Sequence, residues 1–204
     1  MKLNTYIPSY RMGKFISSNK EGLEMIPGIW IEGKTYWLTS GTEELMQEEG
    51  ISVDVEQESS RSDLQSFNIN ITNHYQQSKN VKLLIQNRYQ HQDYNHFSFI
   101  SPTENAVFHL IDNQVYLIDG FCHGMVREAC SVQPIWDIYM DRIWSCSKMG
   151  KLKYNPMANG NAASILLYNI NFKGIETFEG KTWMIKGRNE VELIKLNEAL
   201  LKTY

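Results

Sequence analysis

The sequence predicts a mainly β protein: an antiparallel β-sandwich, loosely immunoglobulin-like in its strand spacing, with two or three short helices. Three observations carry this reading. Phe67, Ile69 and Ile71 alternate strictly with Asn68, Asn70 and Thr72, which is the two-residue period of a half-buried strand. Strand-like runs follow one another with few helical stretches between them, which argues against a doubly wound parallel sheet. At 204 residues and 42% hydrophobic content, the chain can bury a sizeable core. The expectation is one β-rich domain over 1–204. Left open is a version in which 1–55 forms an appended hairpin and helix joined by a polar linker over 56–66. The tryptophan between paired cysteines that marks true immunoglobulin domains is missing.

Taken in order, "GIWIEGKTYWLTS" has two aromatic and β-branched runs around Glu32-Gly33, and glycine suits a tight turn, so 28–39 reads as a hairpin. "SGTEELMQEEG" offers Ser40 and Thr42 as caps, early acids and Gly50 as a stop, the pattern of a short helix. "EQESSRSDLQS" is polar and aperiodic, hence the linker. The alternating strand from Phe67 is expected to pair with "VKLLIQNRY". "AVFHLIDNQVYLID" reads as a hairpin turning at Asp112-Asn113, which sets His109 opposite Tyr116.

Pro134 opens an amphipathic helix over 134–148, with Trp136, Met140, Ile143 and Trp144 at helical spacing and Gly150 beyond its end. "SILLYNINF" and "TFEGKTWMIKG" read as strands. A C-terminal helix over 190–202 follows, with Asn189 and Glu192 as a capping pair and Leu193, Leu196 and Leu200 as its apolar stripe.

A net charge of -3 provides no field for a polyanion, so nucleic acid is not an expected partner. No run of about eighteen apolar residues suggests a membrane span. Three cysteines and no signal-peptide core point to the cytoplasm. The P-loop, GXSXG and HEXXH patterns are missing, and no cofactor is expected.

The most concentrated chemistry lies in "RYQHQDYNHFSF". His91, Asp93 and His96 could serve acid-base catalysis or a metal if the chain turns between them, but their spacing fits no standard zinc signature. Cys122 and His123 are a second catalytic candidate, though adjacent strand residues point to opposite faces. With Cys130 and Cys146 they could also supply soft ligands, yet not at the spacing of a structural zinc site, so no metal site is assigned. Tyr89, Tyr94, Asn95 and His96 form a tyrosine- and amide-rich segment suited to recognition.

The function expected is a non-enzymatic binding protein that presents loop surfaces to a protein or other macromolecular partner. A hydrolase using the His, Asp and Cys residues and a zinc-stabilised accessory domain are the alternatives. An unpaired edge strand would offer a route to oligomers.

Overall fold

The computed structural model describes residues 22–38, 43–46, 48–89, 95–122 and 127–203. Its strands are β1 (Leu23–Ile31), β2 (Lys34–Trp37), β3 (Glu43–Met46), β4 (Ile51–Ser60), β5 (Leu64–Asn73), β6 (Lys79–Tyr89), β7 (His96–Ile100), β8 (Val107–Ile111), β9 (Gln114–Cys122) and β10 (Arg127–Pro134). Helix α1 (Ile135–Tyr139) follows, then β11 (Trp144–Cys146), β12 (Lys151–Leu152), β13 (Met157–Asn159), β14 (Ala162–Phe172), β15 (Glu176–Gly187) and helix α2 (Glu190–Thr203). Among the described residues the chain is mainly β, all its strand pairs are antiparallel, and neither helix is long and apolar enough to cross a membrane.

Two large sheets organise the fold. One has five strands in the order β10-β14-β6-β1-β2, the other eight in the order β13-β7-β8-β9-β15-β5-β4-β3. Their apolar faces meet in one core. Ile29, Leu83, Ile85 and Leu166 come to it from the first sheet, and Val53, Phe67, Ile69 and Ile118 from the second. Each such side chain, once fully buried, contributes about 1.5–3 kcal/mol.

The outer face of the five-stranded sheet carries a second cluster, in which Ile135 and Ile138 of α1 cover Trp30, Leu84 and Ile165. The outer face of the eight-stranded sheet carries a third, in which Leu193 of α2 covers Trp183 and Ile185.

Several expectations hold at residue level. The β1–β2 hairpin turns at Glu32 and Gly33, with φ of 49° and 88°. The β8–β9 hairpin turns at Asp112, φ 51°, with His109 opposite Tyr116 and Leu110 opposite Val115. β14 and β15 fall on the two runs named for them, and α2 spans the C-terminal helix.

Four expectations are corrected. Residues 43–46, expected in a helix, are strand β3, and 48–50 are a turn. Pairing with β4, Glu43 opposite Asp54 through Met46 opposite Ile51, outweighs a weak local helix preference. Residues 56–66 are not a linker: they end β4 and begin β5, which pair from Ile51↔Asn73 to Ser60↔Gln65. A polar outward face on an antiparallel pair carries no apolar signal, so the segment reads as loop from sequence alone.

β5 does not pair with β6. It lies between β4 and β15, whereas β6 lies between β1 and β14, because the chain passes from one sheet to the other after Asn73.

The helix over 134–148 stops after five residues. Asp141 takes φ 52°, and the chain then forms the β11–β12 pair. The buried stripe is Ile135, Ile138 and Ile143; Trp136 and Met140 are 64% and 62% exposed. The Trp144 indole N–H instead reaches Thr35 Oγ1 at 2.9 Å, fixing this turn over the sheet.

Candidate functional site

The sites proposed from sequence resolve unevenly. His91, Asp93, Tyr94 and His123 lie outside the described residues. His96 opens β7 and is buried, Asn95 just before it is exposed, and Tyr89 closes β6 half-buried. Tyr89 and His96 are brought together across the two sheets, with ring centroids 6.4 Å apart in an edge-on arrangement. Cys122 is buried in the core at the far end of β9. It stands six residues along that strand from Tyr116, the register partner of His109. At 3.3–3.4 Å per residue this is about 20 Å from the histidines, so the structure does not bring Cys122 and His96 together.

What sequence reasoning missed is the company His96 keeps. β7 pairs with β8 so that Ser98 lies opposite His109, and alternation turns His96, Ser98 and His109 toward the other sheet. His96 Nε2 lies 2.9 Å from His109 Nδ1 and 2.7 Å from Ser98 Oγ; Ser98 Oγ is 2.9 Å from His109 Nδ1. The far nitrogen of His109, Nε2, lies 2.9 Å from Ser164 Oγ on β14 of the opposite sheet. The two rings are stacked with centroids 5.1 Å apart.

Two neutral imidazoles satisfy this chain in either of two senses. His96 N–H donates to Ser98, Ser98 O–H to His109, and His109 N–H to Ser164, or every donor and acceptor is reversed. Burial pulls the His96 pKa down to about 4. It holds that of His109 well below the ordinary histidine value, with the neighbouring His96 adding to the effect.

Parity along β8 could have revealed half of this cluster. His109 alternates with Val107 and Ile111, both core residues, and so had to face inward. Ser164 carried no such signal, because it arrives from the other sheet.

Asn87 stands across the strand pair from Ser164. It is fully buried, and among the described residues neither its side-chain oxygen nor its nitrogen finds a partner.

Above His96 the surface is concave. A depression of about 410 Å³ is lined by Asn95, His96, Phe97, Leu110, Asp112, Asn159 and Gly160. Asn159 lies opposite Phe97, and Phe97 opposite Leu110, in one row across β13, β7 and β8. Asp112 N–H donates to the Asn95 carbonyl at 3.0 Å, and Gly160 N–H to the His96 carbonyl at 2.8 Å. Three chain segments are thus tied together at the rim. Asn95, Asp112, Asn159 and Gly160 are exposed, while the His96 imidazole is engaged in the core network.

A second buried polar network lies beneath α2. The Trp183 indole N–H donates to Asn197 Oδ1 at 2.7 Å, Asn197 Nδ2 to Asp119 Oδ2 at 3.0 Å, and Arg127 Nη1 to Asp119 Oδ1 at 2.7 Å. Arg127 also donates to the Asn105 carbonyl. Asn197 therefore occupies the inner stripe of α2, where Leu196 was expected; Leu196 is 36% exposed. Beside this network, burial pushes the Cys130 thiol up to about 12, the opposite of an activated nucleophile. Among the described residues no three His, Cys, Asp or Glu side chains are grouped to hold a metal ion.

No protein-family model and no curated protein sequence matches the chain. Its fold is similar to part of a solved structure, a bacterial glucoamylase complexed with acarbose, with a TM-score of 0.50 and 13% sequence identity. The match covers 86% of this chain and 28% of that one. At this identity the likeness concerns the fold alone.

Proposed function

We propose that the chain is a non-enzymatic binding module that offers strand-end surfaces to a protein or other macromolecular partner. The architecture behind this reading is a β-sandwich, immunoglobulin-like only in the loose sense that its contact residues sit where strands end. The observation that carries it is the rim at Asn95, Asp112 and Asn159: exposed, concave and fastened by backbone hydrogen bonds. The basic side chain beneath it, His96, is committed to the interior.

A general base works best with a pKa near the operating pH, and an imidazole at about 4 is far from that. Ser98 is hydrogen-bonded to both histidines but is fully buried, where no substrate carbonyl could reach it. Three cysteines outside any disulfide among the described residues support a cytoplasmic setting. Acarbose belongs to the glucoamylase complex; for this chain it supports including saccharides among the compounds screened.

The test is a paired screen of the full chain against glycoside, ester and peptide substrates for turnover, and against peptide, protein and glycan arrays for binding. Binding that Asp112→Ala or Asn159→Ala weakens while the melting temperature stays unchanged supports the module. Turnover abolished by His96→Gln or Ser98→Ala overturns it.

A further inference from the structure

Resting on the binding reading above, we propose that the depression over His96 takes a saccharide. A sugar ring presents two chemistries at once: hydroxyls that each donate and accept, and a patch of C–H groups that prefers an apolar, ideally aromatic, surface. The rim supplies both. Asn95 and Asn159 carry amides that donate and accept, and Asp112 carries a carboxylate that accepts from two hydroxyls. Between them Phe97 and Leu110 form an apolar floor. The Phe97 ring is stacked on Phe99 at 5.6 Å with 24° between planes, a contact that restrains its orientation.

The charges narrow the choice further. Anionic ligands such as phosphates and acidic peptides are recognised by clustered cations, and among the described residues this lining contains neither Lys nor Arg but does carry the Asp112 carboxylate. A largely apolar ligand would leave three polar side chains desolvated and without partners. A neutral polyhydroxylated ligand leaves neither problem. The volume of about 410 Å³ lies within the range of small-ligand sites. The backbone bonds from Asp112 to Asn95 and from Gly160 to His96 hold the polar groups in place before binding, which limits the ordering cost.

The experiment uses the full chain in native gels containing soluble starch, xylan or mixed-linkage β-glucan, followed by calorimetric titration with the matching oligosaccharide. Expected is retardation in at least one gel, relieved by the free oligosaccharide, with affinity at least tenfold weaker in Asp112→Ala and in Asn159→Ala at unchanged melting temperature. Phe97→Ala should abolish retardation; if that variant is destabilised, Phe97→Leu serves, keeping apolar volume but removing the ring. Retardation in none of the gels, or retardation indifferent to all these substitutions, overturns the assignment. Protein or peptide binding that the same rim variants abolish, with no saccharide bound, overturns the saccharide and leaves the binding module standing. Turnover dependent on His96 or Ser98 would end the underlying reading instead.

Discussion

The two buried polar networks meet the same difficulty in opposite ways. Between the sheets, His96 and His109 lose their charge: desolvation keeps both imidazoles neutral, and two serine hydroxyls complete their hydrogen bonds. Beneath α2, Asp119 and Arg127 keep theirs as a close ion pair, with side chains only 6% and 9% exposed, and Asn197 and Trp183 extend the pair into the helix. A neutral network is exposed to acid, which forces a proton on it. A charged one is exposed to loss of a partner, which strands the survivor.

The largest effect should therefore follow Asp119→Ala. It leaves the buried Arg127 charge without its carboxylate and removes the acceptor that anchors Asn197, and should cost about 3–5 kcal/mol in urea unfolding. Replacing both members, Asp119→Leu with Arg127→Met, should recover much of that loss. A cost below about 1 kcal/mol for the single variant would remove the contrast between the networks.

Acid should reveal the other network. The folded pKa of His96 lies below its unfolded value of about 6.5, so the unfolded chain takes up the proton first. Its contribution is intact above about pH 6.5 and is lost as pH falls toward about 4. At about 1.4 kcal/mol per pKa unit this amounts to roughly 3 kcal/mol. Unfolding free energies measured across that range should fall more steeply for the native chain than for His96→Asn, while an Asp119→Asn chain should keep the steep histidine-dependent fall.

Smaller effects refine the comparison. Ser164→Ala leaves His109 Nε2 buried without a partner and should cost about 1–2 kcal/mol, with a coupling to His109→Leu measurable in a double-mutant cycle. Asn87→Leu removes a buried amide that lacks partners among the described residues, and should be neutral or stabilise by up to about 1 kcal/mol in the same assay. A loss above about 2 kcal/mol would show that the amide is hydrogen-bonded after all.

Where the sequence was legible, the signal was local. The Glu32-Gly33 and Asp112-Asn113 turns, the alternation over 67–72 and the capped C-terminal helix all follow from neighbours within a few residues. The pairings of β5 and β6 were not legible, because the choice of sheet is made by contacts distant in the chain. Trp136 and Met140 misled for a related reason. Their spacing fits a helix face, but the burial of Ile143 and the hydrogen bond of Trp144 to Thr35 close the segment as a turn. At the candidate site, Asn95 and His96 could be singled out as recognition residues. Asn159, which lies opposite Phe97, and Ser164, which bonds His109, could not, since β13 and β14 reach these partners only through tertiary folding.

The structural role of His96 and His109 is tested most directly by nuclear magnetic resonance titration of their ring protons in the folded chain. The His96 ring should titrate near pH 4, and His109 should stay neutral throughout the range above that. A His96 or His109 ring titrating near 6.5 in the folded chain would contradict this, because it would belong to a side chain in contact with water and free to exchange protons with a substrate.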